Sequence, residues 1–217
     1  MVSDSQLRHD VEAELDWDAR LDSRQIGVAV KNGVVALTGH VGSYLERRAA
    51  EEAAQSVTGV KAVANDIAIE LPFDAKRGDA EIAEAAVVAL QGNVSVPANA
   101  VKIYVREGWI TLEGQVSTWH QKNAAEVALA PLRGVKGLSN NLAICAQISI
   151  DDVQSRITDA FRRRAQLDAK RVHVSALDGT VTLEGEVSSW HERNQAEIAA
   201  WQAPGVTAVV DNLTVEP

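Results

Sequence analysis

Apolar positions follow two rhythms along the chain, and each switch between them marks a new element. Leu7, Val11 and Leu15 recur every four residues, the spacing of one face of a helix. Asp4 in its first turn suits the positive end of the helix dipole. Ile26, Val28 and Val30 then alternate with other residues, as in a half-buried strand. Asn32-Gly33 is a two-residue turn that favours positive φ, the mark of a tight hairpin. The returning strand turns Val35 and Leu37 inward. Ser43 and Glu46 have the S/T-x-x-E/Q spacing of a reciprocal helix cap. The helix behind them carries small apolar residues, Ala50, Ala53, Ala54 and Val57, and Gly59 is expected to close it as a C-cap. A last strand runs from Val63 to Ile69. The predicted order is α-β-β-α-β.

That order is written three times. GVVALTGHVGSYLE at 33–46 aligns with GWITLEGQVSTWHQ at 108–121 and GTVTLEGEVSSWHE at 179–192. Nine glycines hold one register: Gly33, Gly108 and Gly179; Gly39, Gly114 and Gly185; Gly59, Gly134 and Gly205. Turn geometry alone explains such positions. The helix stripe recurs as Ile82, Ala86 and Leu90, then as Val153, Ile157 and Phe161. A period above 70 residues is too long for most solenoids and fits copies of one small domain. The fold class is α+β: three tandem α-β-β-α-β domains at 1–72, 77–146 and 149–217. Each is expected to be a small three-stranded mixed sheet with two helices on one face. Units this small are marginal alone, so mutual packing is expected.

The paired glycines, the Gly-Val after the second helix and the Asn/Asp-Asn/Asp-Leu/Ile ending together resemble the BON domain, three times over nearly the whole chain. The third copy, GTVTLEGEVSSWHERNQAEIAAWQAPGVTAVVDNLTV, carries the resemblance most clearly. It implies a non-catalytic, transport-associated module that associates with phospholipid membranes and is linked to osmotic or envelope stress in bacteria. Many members are periplasmic or lipoproteins.

Composition changes the picture in three ways. The 217 residues carry a net charge of −9, opposite to the excess that wraps nucleic acid, so no nucleic-acid partner is expected. No apolar run approaches the roughly 18 residues of a membrane span. MVSDSQLRHD at the start lacks the basic and apolar stretches of a secretory signal, which predicts a cytoplasmic location, or a periplasmic one if a signal has been removed.

Candidate chemistry is sparse. The five histidines, His9, His40, His120, His173 and His191, form no metal spacing with the lone Cys145. His120 and His191 follow Trp119 and Trp190 at the start of the second helix and read as first-turn residues beside a cap. His173 is expected opposite Glu184 as a surface pair. Asp16, Asp18 and Asp22 lack the glycine and terminal glutamate of a calcium loop. No nucleophile, base and oxyanion set is readable, so no enzyme, metal or cofactor is expected.

The aromatics and one basic run are the candidate sites. Trp109 has opposite parity to Ile110 and Leu112 and is expected to face away from the core, diagonal to Tyr104, where the pair either forms an interface or is buried as the sheet faces of the domains cover each other. Trp201 and Trp17 either fill gaps between domains or dip into a lipid surface. Arg162, Arg163 and Arg164, with Lys170 and Arg171, form a basic cluster that attracts anionic headgroups at about 1 kcal/mol per residue near the surface, or complements the end of a helix.

Two readings of function follow. One is a non-enzymatic stress protein bound peripherally to phospholipid through that cluster, with Trp17 as a wedge. The other is a soluble cytoplasmic scaffold, or an ion or small-ligand sensor, working through faces between domains. Either reading leaves the oligomeric state open.

Overall fold

The computed structural model describes residues 3–97, 100–145, 157 and 171–215. Its strands form three separate three-stranded sheets, each in sequence order. The first domain runs α1 (Asp4–Trp17), β1 (Ile26–Lys31), β2 (Val34–Val41), α2 (Tyr44–Ser56) and β3 (Ala62–Ile69). The second runs α3 (Asp79–Gln91), β4 (Val101–Arg106), β5 (Trp109–Val116), α4 (Trp119–Leu129) and β6 (Gly137–Ile144). The third has β7 (Val172–Leu177), β8 (Thr180–Val187), α5 (Trp190–Trp201) and β9 (Ala208–Val215). Its expected first helix falls largely outside the described residues. Within that stretch Ile157 is helical and buried.

The sheets are mixed for a simple reason. A two-residue turn forces the first two strands antiparallel, while an intervening helix lets the third run parallel to the second. In the first domain Val28 lies opposite Leu37, and Leu37 lies beside Asn65. In the second, Ile103 lies opposite Leu112, and Leu112 beside Asn140. One sheet face is apolar in each case and meets the helices. Val35 and Leu37 are fully buried, as are Ile110 and Leu112, and Val181 and Leu183. Each such side chain contributes about 1.5–3 kcal/mol when withdrawn from water. The buried alanines of the second helices, Ala50 and Ala54, Ala125, and Ala196 and Ala200, let helix and sheet approach closely.

The turns and caps fold as the sequence predicts, with two differences. Asn32, Glu107 and Asp178 have positive φ, and so do the glycines after them, as a type I′ hairpin requires. Ser43, Thr118 and Ser189 each accept from the main-chain N–H three residues on. The return bond reaches one residue further back than expected. Glu46, Gln121 and Glu192 accept from the main-chain N–H of Gly42, Ser117 and Ser188, and Glu46 accepts from the Ser43 hydroxyl as well.

The second difference corrects the role of Gly59, Gly134 and Gly205. These do not cap the helices, which end at Ser56, Leu129 and Trp201. Each glycine sits in a separate turn closed by Val60 N–H to Val57 C=O, Val135 to Leu132, and Val206 to Ala203. Their φ angles of 99°, 91° and 88° suit the third position of a type II turn, where a side chain is strained.

Candidate functional site

The middle domain differs from both copies on its sheet face and from the first domain on its helical side. On the open face of its sheet, β4 presents Lys102, Tyr104 and Arg106, with Tyr104 52% exposed. Trp109 begins β5 on the same face and is 44% exposed. Its indole does not lean toward Tyr104 but the other way, across β6. A Cβ built on Gly137 would fall 2.2 Å from the ring, so the indole lies over a position that only glycine leaves open. The Nε1–H donates to Ser139 Oγ at 2.9 Å. Tyr104 pairs with Thr111, and Arg106 with Trp109, so the tyrosine is diagonal to the tryptophan as expected. The other sheets carry no such seat. Val34 and Ala62 take the places of Trp109 and Gly137 in the first domain, and Thr180 and Ala208 in the third.

The helical side of the middle domain is unusual as well. Val87 and Val88 on α3 are 43% and 68% exposed, Val94 beyond its end is fully exposed, and Val127 on α4 is 60% exposed. The matching residues of the first domain are Glu12, Ala13, Ala19 and Glu52. There, Glu52 pairs with Arg20 at 3.0 Å. A helix with apolar residues on its wet side calls for an explanation beyond packing. The helical spacing of Ile82, Ala86 and Leu90 marks only the buried stripe. The signal that finds the rest is the uncharged run Ala85 to Gln91.

The other candidates are placed as follows. Trp17 closes α1 and is 84% exposed. Trp201 is half-buried, and its Nε1–H donates to Glu197 within the same helix. Arg171 is exposed, whereas Arg162, Arg163, Arg164 and Lys170 lie outside the described residues. His120 and His191 are exposed beside their caps, and Arg193 sits 4.8 Å over the ring of Trp190. His173 stands opposite Glu184. Cys145 is a free, exposed thiol whose N–H extends the ladder to Val116.

The three aspartates after α1 serve a local loop. Asp16 accepts from Ser23 Oγ. Asp18 is held by Arg20, whose hydrogen bonds keep its carboxyl below the usual range. Asp22 caps a 3-10 turn at Ser23–Gln25, and the Arg24 guanidinium pulls its pKa down to about 2. Among the described residues no group of three His, Cys, Asp or Glu could hold a metal ion. No helix among them is long and apolar enough to cross a membrane.

Two recurring polar residues turn out to be structural. Asp4 accepts from the turn N–H groups of Asn32 and Gly33, and Asp79 from those of Glu107 and Gly108, at 2.8–3.1 Å. Asn65 and Asn140 bracket the second helix, donating to the carbonyls of Arg47 and Lys122 and to Glu51 and Glu126. These groups are occupied by the fold and are not ligand contacts.

Comparison with known proteins adds lineage. Osmotically-inducible protein Y of Escherichia coli (strain K12) is 28% identical over 148 residues, spanning 65% of this chain and 72% of that protein. Two solved structures of CdsD, a structural protein of the type III secretion system of Chlamydia trachomatis, are 18% and 17% identical, with TM-scores of 0.25 and 0.26. They align over 96% and 100% of this chain and over 91% and 100% of theirs. The BON domain model matches at 3–70, 78–146 and 149–217, one match on each α/β unit. With three matches spanning nearly all of its length, the chain belongs to the BON domain family.

Proposed function

We propose that the protein is a non-enzymatic binding protein of a bacterial osmotic or envelope stress response, held peripherally on phospholipid surfaces. The observation that carries this reading is the apolar outer side of the middle domain, Val87, Val88, Val94 and Val127, where the first domain has two glutamates and two alanines. Such a helix gains from lying in the interfacial plane, with its apolar side at the acyl boundary. The stress assignment rests on the name of its osmotically-inducible relative and on the family. The basic run Arg162 to Arg164, with Lys170 and Arg171, supplies attraction for anionic headgroups. Trp17, exposed at the end of α1, is a second element able to dip into the interface.

Co-sedimentation with phosphatidylglycerol-containing and purely phosphatidylcholine vesicles tests the proposal. Binding is expected to both, stronger to the first. Val88→Glu combined with Val127→Glu should reduce it at least tenfold, and a triple Arg→Ala variant at 162–164 should remove the preference for anionic lipid. Absence of binding to either vesicle, or indifference to the paired glutamates, overturns it.

A further inference from the structure

We infer that the valine end of the middle domain reads how tightly lipids are packed. It inserts where headgroups are spread apart, as in strongly curved or osmotically stretched bilayers, and is kept out of relaxed, flat ones. The inference rests on the phospholipid reading above and adds its regulation. Three observations carry it. First, charge has been cleared from one end of the domain. Glu12, Asp16, Asp18, Arg20, Arg48 and Glu52 of the first domain become Val87, Gln91, Asn93, Ser95, Asn123 and Val127 in the aligned register. No charged residue occurs between Glu84 and Lys102. The third copy does not repeat this: its sequence has Asp159 at the place of Val88, and Arg162 to Arg164 at those of Gln91 to Asn93. Second, the uncharged positions adjoin in space. Asn93 Nδ2 donates to the Ala124 carbonyl at 3.4 Å, so the turn bearing Val94 lies against the helix bearing Val127. The first domain closes the same junction with charge, Arg20 to Glu52 at 3.0 Å. Third, among the described residues every large apolar side chain exposed on α3, on α4 or between α3 and β4 is a valine.

The chemistry of the patch sets the condition for insertion. An interfacial helix sinks about 5–10 Å toward the acyl boundary, and its affinity comes from apolar area and from attraction to anionic lipid. α3 offers no such attraction. It has no Lys or Arg, and Glu84, one turn before Val88, opposes an anionic surface. Lys122 on α4 is half-buried. Apolar area is what remains, and valine supplies it only at short reach. Its methyl groups end two bonds from Cα, short of the hydrocarbon beneath a closed layer of headgroups. They reach it where bending or stretching has already parted that layer. A leucine or aromatic anchor would enter either surface and would not discriminate. The basic run Arg162 to Arg171 answers to headgroup charge, so charge and packing are read by different parts of the chain.

Binding of the full-length protein to phosphatidylcholine vesicles tests this, followed by energy transfer from its tryptophans to a dansyl-labelled lipid. Vesicles about 50 nm across should bind at least fivefold more tightly per lipid than vesicles about 400 nm across. Diluting the outer medium swells the large vesicles and stretches their bilayers, and should raise their binding several-fold. Val88→Leu with Val127→Leu, which lengthens both side chains without adding charge, should raise binding to large, relaxed vesicles and shrink the size ratio below twofold. Val88→Glu with Val127→Glu should remove binding to all three preparations. Equal binding to both sizes, or no response to swelling, overturns the inference and leaves the phospholipid reading standing. No binding to these vesicles or to ones containing phosphatidylglycerol overturns both. If the paired glutamates instead break up a dimer seen by sedimentation velocity and leave vesicle binding unchanged, the valines cover a second copy and the inference falls.

Discussion

Single residues set the strictest conditions on this fold. Gly114 has φ +136°, and a Cβ built there lies 2.1 Å from the carbonyl oxygen of Ala100. Gly39 and Gly185 meet the carbonyls of Gln25 and Arg171 in the same way. The second strand therefore passes directly under the entry to the first, and no side chain fits. Gly114→Ala combines a backbone clash with a strained dihedral and is expected to cost about 3 kcal/mol or more. A urea midpoint for the middle domain, followed through a signal from Trp109, would show it. Glu107 gives the opposite case. It holds φ 54° in a turn where the first domain uses asparagine, a residue far better suited to that region. Glu107→Asn should stabilise the middle domain by about 0.5–1 kcal/mol, readable in the same experiment.

Elements were legible where a local rule repeats in the sequence. Strand parity, the two-residue turns and the S/T-x-x-E/Q caps each bind residues no more than four apart, so spacing alone reveals them. What was not legible depended on contacts across the fold. Asp4 and Asp79 look like helix-dipole partners, yet their carboxylates clamp a hairpin 28 and 29 residues away. The tether made by Asn65 and Asn140 also spans distant chain. The glycines after the second helices were misplaced because two to four residues separate them from the helix ends, and spacing cannot tell a C-cap from a following turn. Trp109 was expected to face outward but to keep company with Tyr104. Its lean toward Gly137 depends on a parallel neighbour that sequence order does not announce.

The loop after α1 also belongs to this scale. Arg20 lowers the pKa of Asp18, and Arg24 that of Asp22. Carboxyls depressed in the folded state stabilise it above their unfolded pKa of about 3.9, and that stability is lost as pH falls through the folded values. Urea midpoints of wild type and Arg20→Gln should therefore differ at pH 6 and converge as the pH falls below the ordinary carboxylate range, through the lowered pKa of Asp18. The difference should be small, since the pairs are exposed.

At the scale of the whole molecule, charge and apolar surface are divided among the units. Residues 1–73 hold 7 Lys and Arg against 12 Asp and Glu, residues 74–148 hold 7 against 7, and residues 149–217 hold 7 against 11. The neutral unit is the one that bears both the exposed valines and the aromatic sheet face. The proposed membrane contact thus has two physically distinct parts, burial of apolar side chains from the middle unit and attraction by the Arg162 to Arg171 run. Salt separates them. Near 1 M ionic strength the screening length falls to about 3 Å, which silences exposed charges but leaves apolar burial intact. The preference for anionic over neutral vesicles should therefore vanish between 0.05 and 0.5 M NaCl, while a residual, lipid-independent binding persists. Val88→Glu with Val127→Glu should abolish that residue at every salt concentration. If salt instead removes all binding, headgroup charge alone holds the protein to the bilayer. The exposed valines would then face a different partner.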